Sequence, residues 1–245
     1  MAKETVKPAT KKNMFFICQS KGGVGKSMLT YLFGLKNEES KHTVFVDLDN
    51  STRTTSKQLD FLTSKGRVLE TSINDNSRKI DREKFFDVVE KISQETEYTD
   101  IYFDFGAPES EQFPNLFTMD FKPEDMKEFE TSLNLNFHFY VVVAGGGSYL
   151  SSMSYLEKMA TSLRANFNVT AYINDNTFQS DCELKYEAEK AIVEQLQIDS
   201  KSFGNFFTDR SSGISVLKNV SEGKGLESYA GFAVRKTITT ELEKL

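Results

Sequence analysis

The segment that most constrains the fold is a glycine-rich loop placed between an apolar run and a helix-forming run. Residues 21–27 read Lys-Gly-Gly-Val-Gly-Lys-Ser and follow the apolar residues 14–18. Small residues let successive backbone N–H groups point at one anion, and the N-terminal end of a helix over residues 28–33 would favour the same anion. A strand, a phosphate-holding loop and a helix in this order predict a nucleotide-binding α/β fold.

Each part of the loop has its own predicted contact with a nucleotide. Lys26 places a cation at the outer phosphates, and the hydroxyl of Ser27 is a predicted Mg²⁺ ligand. ATP and Mg²⁺ are therefore the expected ligands. The ordinary form of this motif has glycine where Ser20 stands, so the loop matches a variant form that begins with Lys21. The residues predicted to contact the nucleotide are Gly22, Gly23, Val24, Gly25, Lys26, Ser27 and Met28.

The size and charge of the chain favour one soluble domain. Its 245 residues suffice for a complete α/β core, and we predict a single P-loop ATPase domain over residues 13–245 after a flexible tail over residues 1–12. A net charge of −6 argues against a surface that is basic throughout. Cys18 and Cys182 are far apart, and no apolar run reaches the roughly 18 residues of a membrane span, so we expect a cytoplasmic protein.

Apolar runs alternate with helix-length polar segments along the chain. Residues 140–144 are apolar throughout, which is typical of parallel strands covered on both sides. We therefore predict an α/β fold with a mostly parallel twisted sheet and helices on both faces, whereas residues 108–136 lack a clear period and are expected to mix helix and loop. Strands are predicted at residues 14–18, 43–48, 101–105, 137–144, 168–173 and 203–207, and helices at residues 81–95, 149–164, 184–197 and 233–245.

Carboxylates follow two of the predicted strands, at the edge where such a sheet binds its ligand. Asp47 and Asp49 end one strand, and Asp104 ends another. Phosphoryl transfer needs carboxylates to hold the Mg²⁺ shell, so Asp47 and Asp104 are predicted metal-site residues. Aspartate is also common where a strand leaves a sheet, but the phosphate loop earlier in the same sheet favours the metal role.

Two other strand ends carry weaker signals. Asn174 follows a predicted strand and is a candidate for reading the adenine edge, and an Asx turn is an equally good interpretation. Residues 145–147 are three glycines after a predicted strand. A strand-to-helix turn explains them better than a second phosphate contact does, although both interpretations stay open.

Together, the loop, the Asp-x-Asp strand and the metal aspartate resemble the ParA/MinD family of deviant P-loop ATPases, in the family's order and over nearly the whole chain. Residues 206–210 and 221–228 are similar to parts of the short plasmid partition ATPases, the ParF-like group. The resemblance implies an ATP-sandwich homodimer in which Lys21 reaches the partner's phosphates, Lys26 acts on its own nucleotide and Asp49 positions the attacking water. The residues that lie where the family wraps the base are Thr208, Asp209 and Arg210.

Three positions depart from the family pattern. Met28 stands where the family usually has a second hydroxyl, Asn50 replaces a common proline, and residues 145–147 replace a proline-containing loop. These departures imply slow or differently regulated hydrolysis, but none of them removes a charge that the chemistry requires.

The resemblance also implies a cellular role in DNA partition. ATP-bound dimers of such a switch bind DNA non-specifically on the nucleoid, and a centromere-binding ParB-like adaptor stimulates hydrolysis. The predicted DNA contacts are Lys218, Lys224, Arg235 and Lys236, although neighbouring acids make a mixed-charge helical surface an equally good interpretation. The alternative is a MinD-like ATPase that acts at a membrane, or one that positions a conjugation apparatus or another large assembly. Glu241 and Glu243 make a membrane the less expected partner.

Overall fold

One parallel sheet organises the part of the chain that the structure, a computed structural model, describes: residues 11–48, 54–206 and 210–245. Its strands are β1 Lys12–Cys18, β2 Thr43–Asp47, β3 Val68–Glu70, β4 Asp100–Asp104, β5 Leu135–Val143, β6 Asn168–Asn174 and β7 Asp199–Phe203. Within the described residues these seven strands lie in the order β3-β2-β4-β1-β5-β6-β7, and every neighbouring pair is parallel. The predicted α/β class with a parallel sheet is therefore confirmed.

Helices make the crossover connections that parallel strands require. They are α1 Lys26–Lys36, α2 Thr54–Gln58, α3 Asp60–Thr63, α4 Arg82–Gln94, α5 Ala107–Gln112, α6 Pro123–Ser132, α7 Tyr149–Leu163, α8 Cys182–Lys190, α9 Ser211–Ser221 and α10 Phe232–Glu243. Two π-helical segments, Leu116–Asp120 and Ala191–Leu196, extend this helical content. Among the described residues, no helix combines the length and the apolar character that crossing a membrane would require.

The sheet is buried on both faces because its strands carry apolar side chains in both directions. On β1, Met14, Phe16 and Cys18 belong to one apolar cluster with α4, α6, α7 and α8. Phe15 and Ile17 belong to a second apolar cluster with α1, α9 and α10. Successive side chains of a strand point to opposite faces, so β1 contributes to both clusters. This arrangement confirms the prediction of helices on both sides.

The two edges of the sheet are where the sequence prediction was wrong. The last strand is β7, residues 199–203, not the predicted residues 203–207, and β3 was missed. Both are edge strands with mostly polar or exposed residues, so neither shows the apolar run that marks a central strand. Residues 108–136 mix helix with irregular segments as expected, except that β5 already begins at Leu135. Lys12, assigned to the tail, is the first residue of β1.

A glycine turn at the end of α9 packs against the segment that carries α2 and α3. Gly223 has a φ of +63°, and its carbonyl accepts a hydrogen bond from the backbone N–H of Phe61 at 3.2 Å. A Cβ at Gly223 would overlap the carbonyl oxygen of Lys57 and lie 2.9 Å from the Cβ of Asp60. Glycine is required here both by the backbone conformation and by the close approach of the two segments.

We expect Gly223→Ala to destabilise the protein more than Gly66→Ala does. Gly66 has a similar φ of +67°, but no atom of the described residues lies within 4 Å of where its Cβ would be. That variant therefore carries only the left-handed strain of about 1 kcal/mol. Gly223→Ala adds overlap with backbone and should cost at least about 1 kcal/mol more. Urea denaturation of the two variants measures the difference, and equal losses of stability would contradict the packing argument.

Candidate functional site

The glycine loop lies at the carboxyl end of β1 and opens into a cavity. Gly23 and Gly25 have φ values of +74° and +106°, which glycine adopts without strain. A Cβ on Gly22 or Gly23 would meet no atom of the described residues within 4 Å, so the loop faces open space on this side of the described chain. The cavity has a volume of about 400 Å³, and the residues around it include Lys26, Ser27, Met28, Thr54, Gln58, Phe105 and Pro108.

Lys26 holds its ammonium group inside the curve of the loop. The side chain is 8% exposed, and its Nζ donates to the backbone carbonyl of Gln19 at 2.9 Å. Lys26 is also the first residue of α1, whose N-terminal end carries a positive partial charge. The Lys26 ammonium group and the N-terminal end of α1 therefore lie on the same side of the glycine loop, which is the arrangement that binds an anion.

Asp104 is a buried carboxylate at the end of β4. One oxygen, Oδ2, accepts hydrogen bonds from Ser27 Oγ at 2.9 Å and from the hydroxyl of Thr55. The other oxygen, Oδ1, is buried and has no hydrogen-bond partner among the described residues. Burial raises the pKa of Asp104 to about 6, partly offset by the Thr55 hydrogen bond and by Lys26. Ser27 and Asp104, each predicted from the sequence as a metal-site residue, thus lie within hydrogen-bond distance of each other.

Asp47 lies beside Asp104 because the two residues are partners in the parallel register of β2 and β4. Its Oδ2 accepts from the backbone N–H and from the hydroxyl of Ser56, both at 2.9 Å. Helix α2 therefore donates to both carboxylates, through Ser56 and Thr55. Neither residue was predicted from the sequence, because the hydroxyl-rich run after the Asp-x-Asp strand indicates that donors are present but not which carboxylates they contact.

These residues fit the groups that the sequence predicts. A magnesium ion prefers oxygen ligands. Asp104 contacts the Ser27 hydroxyl with one oxygen, and its other oxygen, Oδ1, is left without a partner by the residues that the structure describes. The open glycine loop and Lys26 suit the phosphates. Among the described residues, no group of three or more His, Cys, Asp and Glu side chains is arranged to hold a metal ion.

Several predicted site residues lie outside the described part of the chain. Asp49, Thr208 and Asp209 belong to this group, so their roles stay predictions. Arg210 precedes α9 and is exposed. Lys21 is exposed at the start of the loop, on the side open to solvent.

Asn174, the last residue of β6, forms a hydrogen bond with the glycine loop. Its Nδ2 donates to the carbonyl of Val24 at 2.8 Å, and its Oδ1 accepts from the backbone N–H of Asn176 at 3.2 Å. The second contact is the Asx turn that the sequence left open. A Cβ on Gly25 would lie within 2.5 Å of Nδ2, so glycine at this position lets the amide approach. The predicted contact of Asn174 with adenine stays a prediction.

The other glycine run and the basic residues lie elsewhere. Residues 145–147 turn the chain into α7, and the N–H of Gly145 donates to Thr177 Oγ1 at 2.7 Å. Lys218 on α9 forms an ion pair at 3.8 Å with Glu222, the residue that follows this helix, as the mixed-charge interpretation expects. Lys224 lies between α9 and α10, and Arg235 and Lys236 border a surface depression at the start of α10.

Comparison with solved structures finds this fold in the MinD cell division protein of Aquifex aeolicus, with a TM-score of 0.55, 14% identity and coverage of 95% of each chain. A MinC:MinD cell division protein complex from the same organism has a TM-score of 0.54 and 14% identity, with coverage of 95% of this chain and 94% of the other. A plasmid partition protein of Borrelia burgdorferi has a TM-score of 0.46 and 13% identity, with coverage of 87% of this chain and 97% of the other. Neither a protein-family model nor a curated protein matches the chain. The chain has a ParA/MinD-like fold.

We expect Asp104→Asn to stabilise the nucleotide-free protein at neutral pH. The carboxyl binds its proton more tightly in the folded state, where its pKa is about 6, than in the unfolded state near 3.8. Wild type therefore loses stability relative to the variant as the pH rises from about 4 to above 6, by on the order of 2–3 kcal/mol. Urea denaturation with EDTA across this pH range measures the difference, and a difference that does not change with pH would contradict the assignment.

Proposed function

We propose that this chain is a Mg²⁺-dependent ATPase that hydrolyses ATP to ADP and phosphate. The observation that carries the proposal is the contact of Ser27 with Asp104, whose second oxygen is buried and has no hydrogen-bond partner in the described part of the chain. This carboxylate lies beside the glycine loop. This combination of hydroxyl, carboxylate and phosphate-holding backbone suits a metal-bound nucleoside triphosphate.

The residues would act together on the outer phosphates. The loop amides and Lys26 bind and orient them, Ser27 and Asp104 hold the metal side, and Asp47 keeps α2 against the site through Ser56. Bound Mg²⁺ would offset the charge that develops on the phosphate oxygens. Asp49 is the proposed residue for orienting the attacking water, on the basis of the family resemblance.

We further propose that ATP drives dimerisation. An exposed Lys21 at the mouth of the loop is suited to reach the phosphates of a second copy, as the resemblance implies. Such a composite site would be complete only in the dimer, so the nucleotide would control assembly and hydrolysis would end it.

DNA partition is the first proposed role for this switch. The sequence resemblance to short partition ATPases supports it, and Arg235 and Lys236 on α10 are the basic residues best placed at one surface. Non-specific DNA binding is mainly electrostatic, so a few such contacts suffice for a transient complex. A ParB-like adaptor would then be the partner that stimulates hydrolysis.

A MinD-like role at a membrane is the second candidate, because α10 also carries an exposed aromatic residue. Phe232 is 88% exposed and lies three and four residues before Arg235 and Lys236, so all three share one helix face. An aromatic ring beside two cations suits an anionic lipid surface. Positioning of another large assembly remains compatible with the same switch.

We expect Lys26→Ala and Lys21→Ala to separate nucleotide binding from dimerisation. Removing Lys26 should weaken ATP binding at least about tenfold, since a buried cation at the phosphates is lost. Removing Lys21 should leave ATP binding within about threefold of wild type but abolish the ATP-dependent dimer. Fluorescent-nucleotide titration and light scattering measure the two effects. Lys158→Ala, an exposed lysine on α7, is the control, and a Lys21→Ala protein that dimerises normally would refute the role.

We expect the double variant Arg235→Ala/Lys236→Ala to lower the salt dependence of ATP-dependent binding to random duplex DNA. The slope of log K against log salt should fall by about two, one unit for each phosphate contact. Lys41→Ala/Lys158→Ala removes the same charge from exposed positions elsewhere and should keep the slope. Binding of ATP-loaded wild type to anionic liposomes but not to DNA would instead favour the membrane role.

A further inference from the structure

Gln19 is a fully buried polar residue at the start of the glycine loop. Its side-chain Nε2 donates to two backbone carbonyls, that of Val142 on β5 at 2.7 Å and that of Ser152 on α7 at 3.2 Å. Its Oε1 accepts from the backbone N–H of Lys21 at 3.3 Å and from the hydroxyl of Ser20 at 3.4 Å. One side-chain amide thus connects the loop to a central strand and to a helix.

The backbone of Gln19 joins the same network to two further parts of the site. Its N–H donates to Ser110 Oγ on α5 at 3.1 Å, and its carbonyl accepts from Lys26 Nζ at 2.9 Å. Helix α5 begins at Ala107, which borders the nucleotide cavity together with Pro108. Gln19 therefore lies between the loop, the phosphate-binding lysine and the helix on the other side of the cavity.

The chemistry of this network argues that Gln19 does more than fill space. An apolar side chain of the same length would occupy the position without needing partners, whereas a buried amide is costly unless its donors and acceptor are satisfied. In Gln19 both the donor Nε2 and the acceptor Oε1 have hydrogen-bond partners. Oε1 accepts from the backbone of Lys21, a residue that is exposed to solvent. Glutamate could keep the acceptor but loses the donors, and methionine loses both.

We propose that Gln19 is the positioning residue of the loop: it fixes the backbone of Lys21 against β5 and α7 and thereby directs the Lys21 side chain out of the site. The proposal rests on the proposed ATPase function, because its consequence is the geometry of a composite site. Gln19 touches neither the nucleotide cavity nor the metal-site carboxylates in its contacts given above, so it acts through Lys21 and Lys26.

The test compares Gln19→Met with Gln112→Met. Gln112, on α5, bonds the backbone N–H of Ile80 and the carbonyls of Arg78 and Pro108 through its side-chain amide, so it loses a similar set of contacts without touching the loop. We expect Gln19→Met to reduce kcat and ATP-dependent dimerisation at least about tenfold while the affinity for ADP changes by less than about threefold. Gln112→Met should leave all three near wild type. Equal effects of the two variants would overturn the proposal.

A second variant separates positioning from stability. Gln19→Glu keeps the acceptor for Lys21 but places a carboxylate against two carbonyl oxygens, so it should be less stable than Gln19→Met in urea yet retain a higher kcat at a temperature where both are folded. An activity order that follows the stability order would overturn the positioning role. If Gln19→Glu does not fold, the comparison of Gln19→Met with Gln112→Met decides alone.

Trypsin cleavage after Lys21 in nucleotide-free protein tests the loop without relying on ATP. We expect Gln19→Met to raise the rate of this cut at least about fivefold, measured by mass spectrometry, and Gln112→Met to leave it unchanged. An unchanged rate in Gln19→Met would overturn the proposal. The two proposals can fail separately. If the wild type neither binds nor hydrolyses ATP but Gln19→Met is still cut faster, the proposed function is refuted and the loop-positioning role is supported.

Discussion

The parallel pairing of β1 with β4 is the constraint on which the rest of the structure depends. In this register Ile17 lies opposite Asp104, so the strand that feeds the glycine loop ends beside the strand that carries the buried carboxylate. Ser27, in the first turn of α1, then lies within hydrogen-bond distance of Asp104. Because all strands run in one direction, β2 adds Asp47 at the same edge. Sheet topology thus gathers groups that are distant in sequence.

This arrangement buries the carboxylates of Asp47 and Asp104. Hydrogen bonds from neighbouring residues reduce the free-energy cost of that burial but do not remove it. Thr55 and Ser56 from α2 donate to Asp104 and Asp47, yet the pKa of Asp104 remains raised by burial and one of its oxygens lacks a partner among the described residues. Buried polar groups left unsatisfied in a native structure are often functional. The site therefore gives up folding stability in order to present a carboxylate to a ligand.

The sequence predicted the central elements well and the edges poorly, for a physical reason. Strands β1, β2, β4, β5 and β6 are covered on both faces, so each needs a nearly continuous apolar run that can be read directly. Edge strand β7 needs no such run, since four of its five residues are not fully buried. Thr55, Ser56 and Gln19 were missed because hydroxyl and amide groups gain their role from neighbours that only the folded chain supplies.

The sequence by itself determined the order of strand, glycine loop and helix and the carboxylates that end two strands, because local backbone chemistry and apolar runs do not depend on distant residues. Only the tertiary structure decided which groups meet. It placed Asn174 against Val24 and Gln19 against β5 and α7. A polar side chain can hydrogen-bond to many partners, and strand order and crossover geometry select one of them.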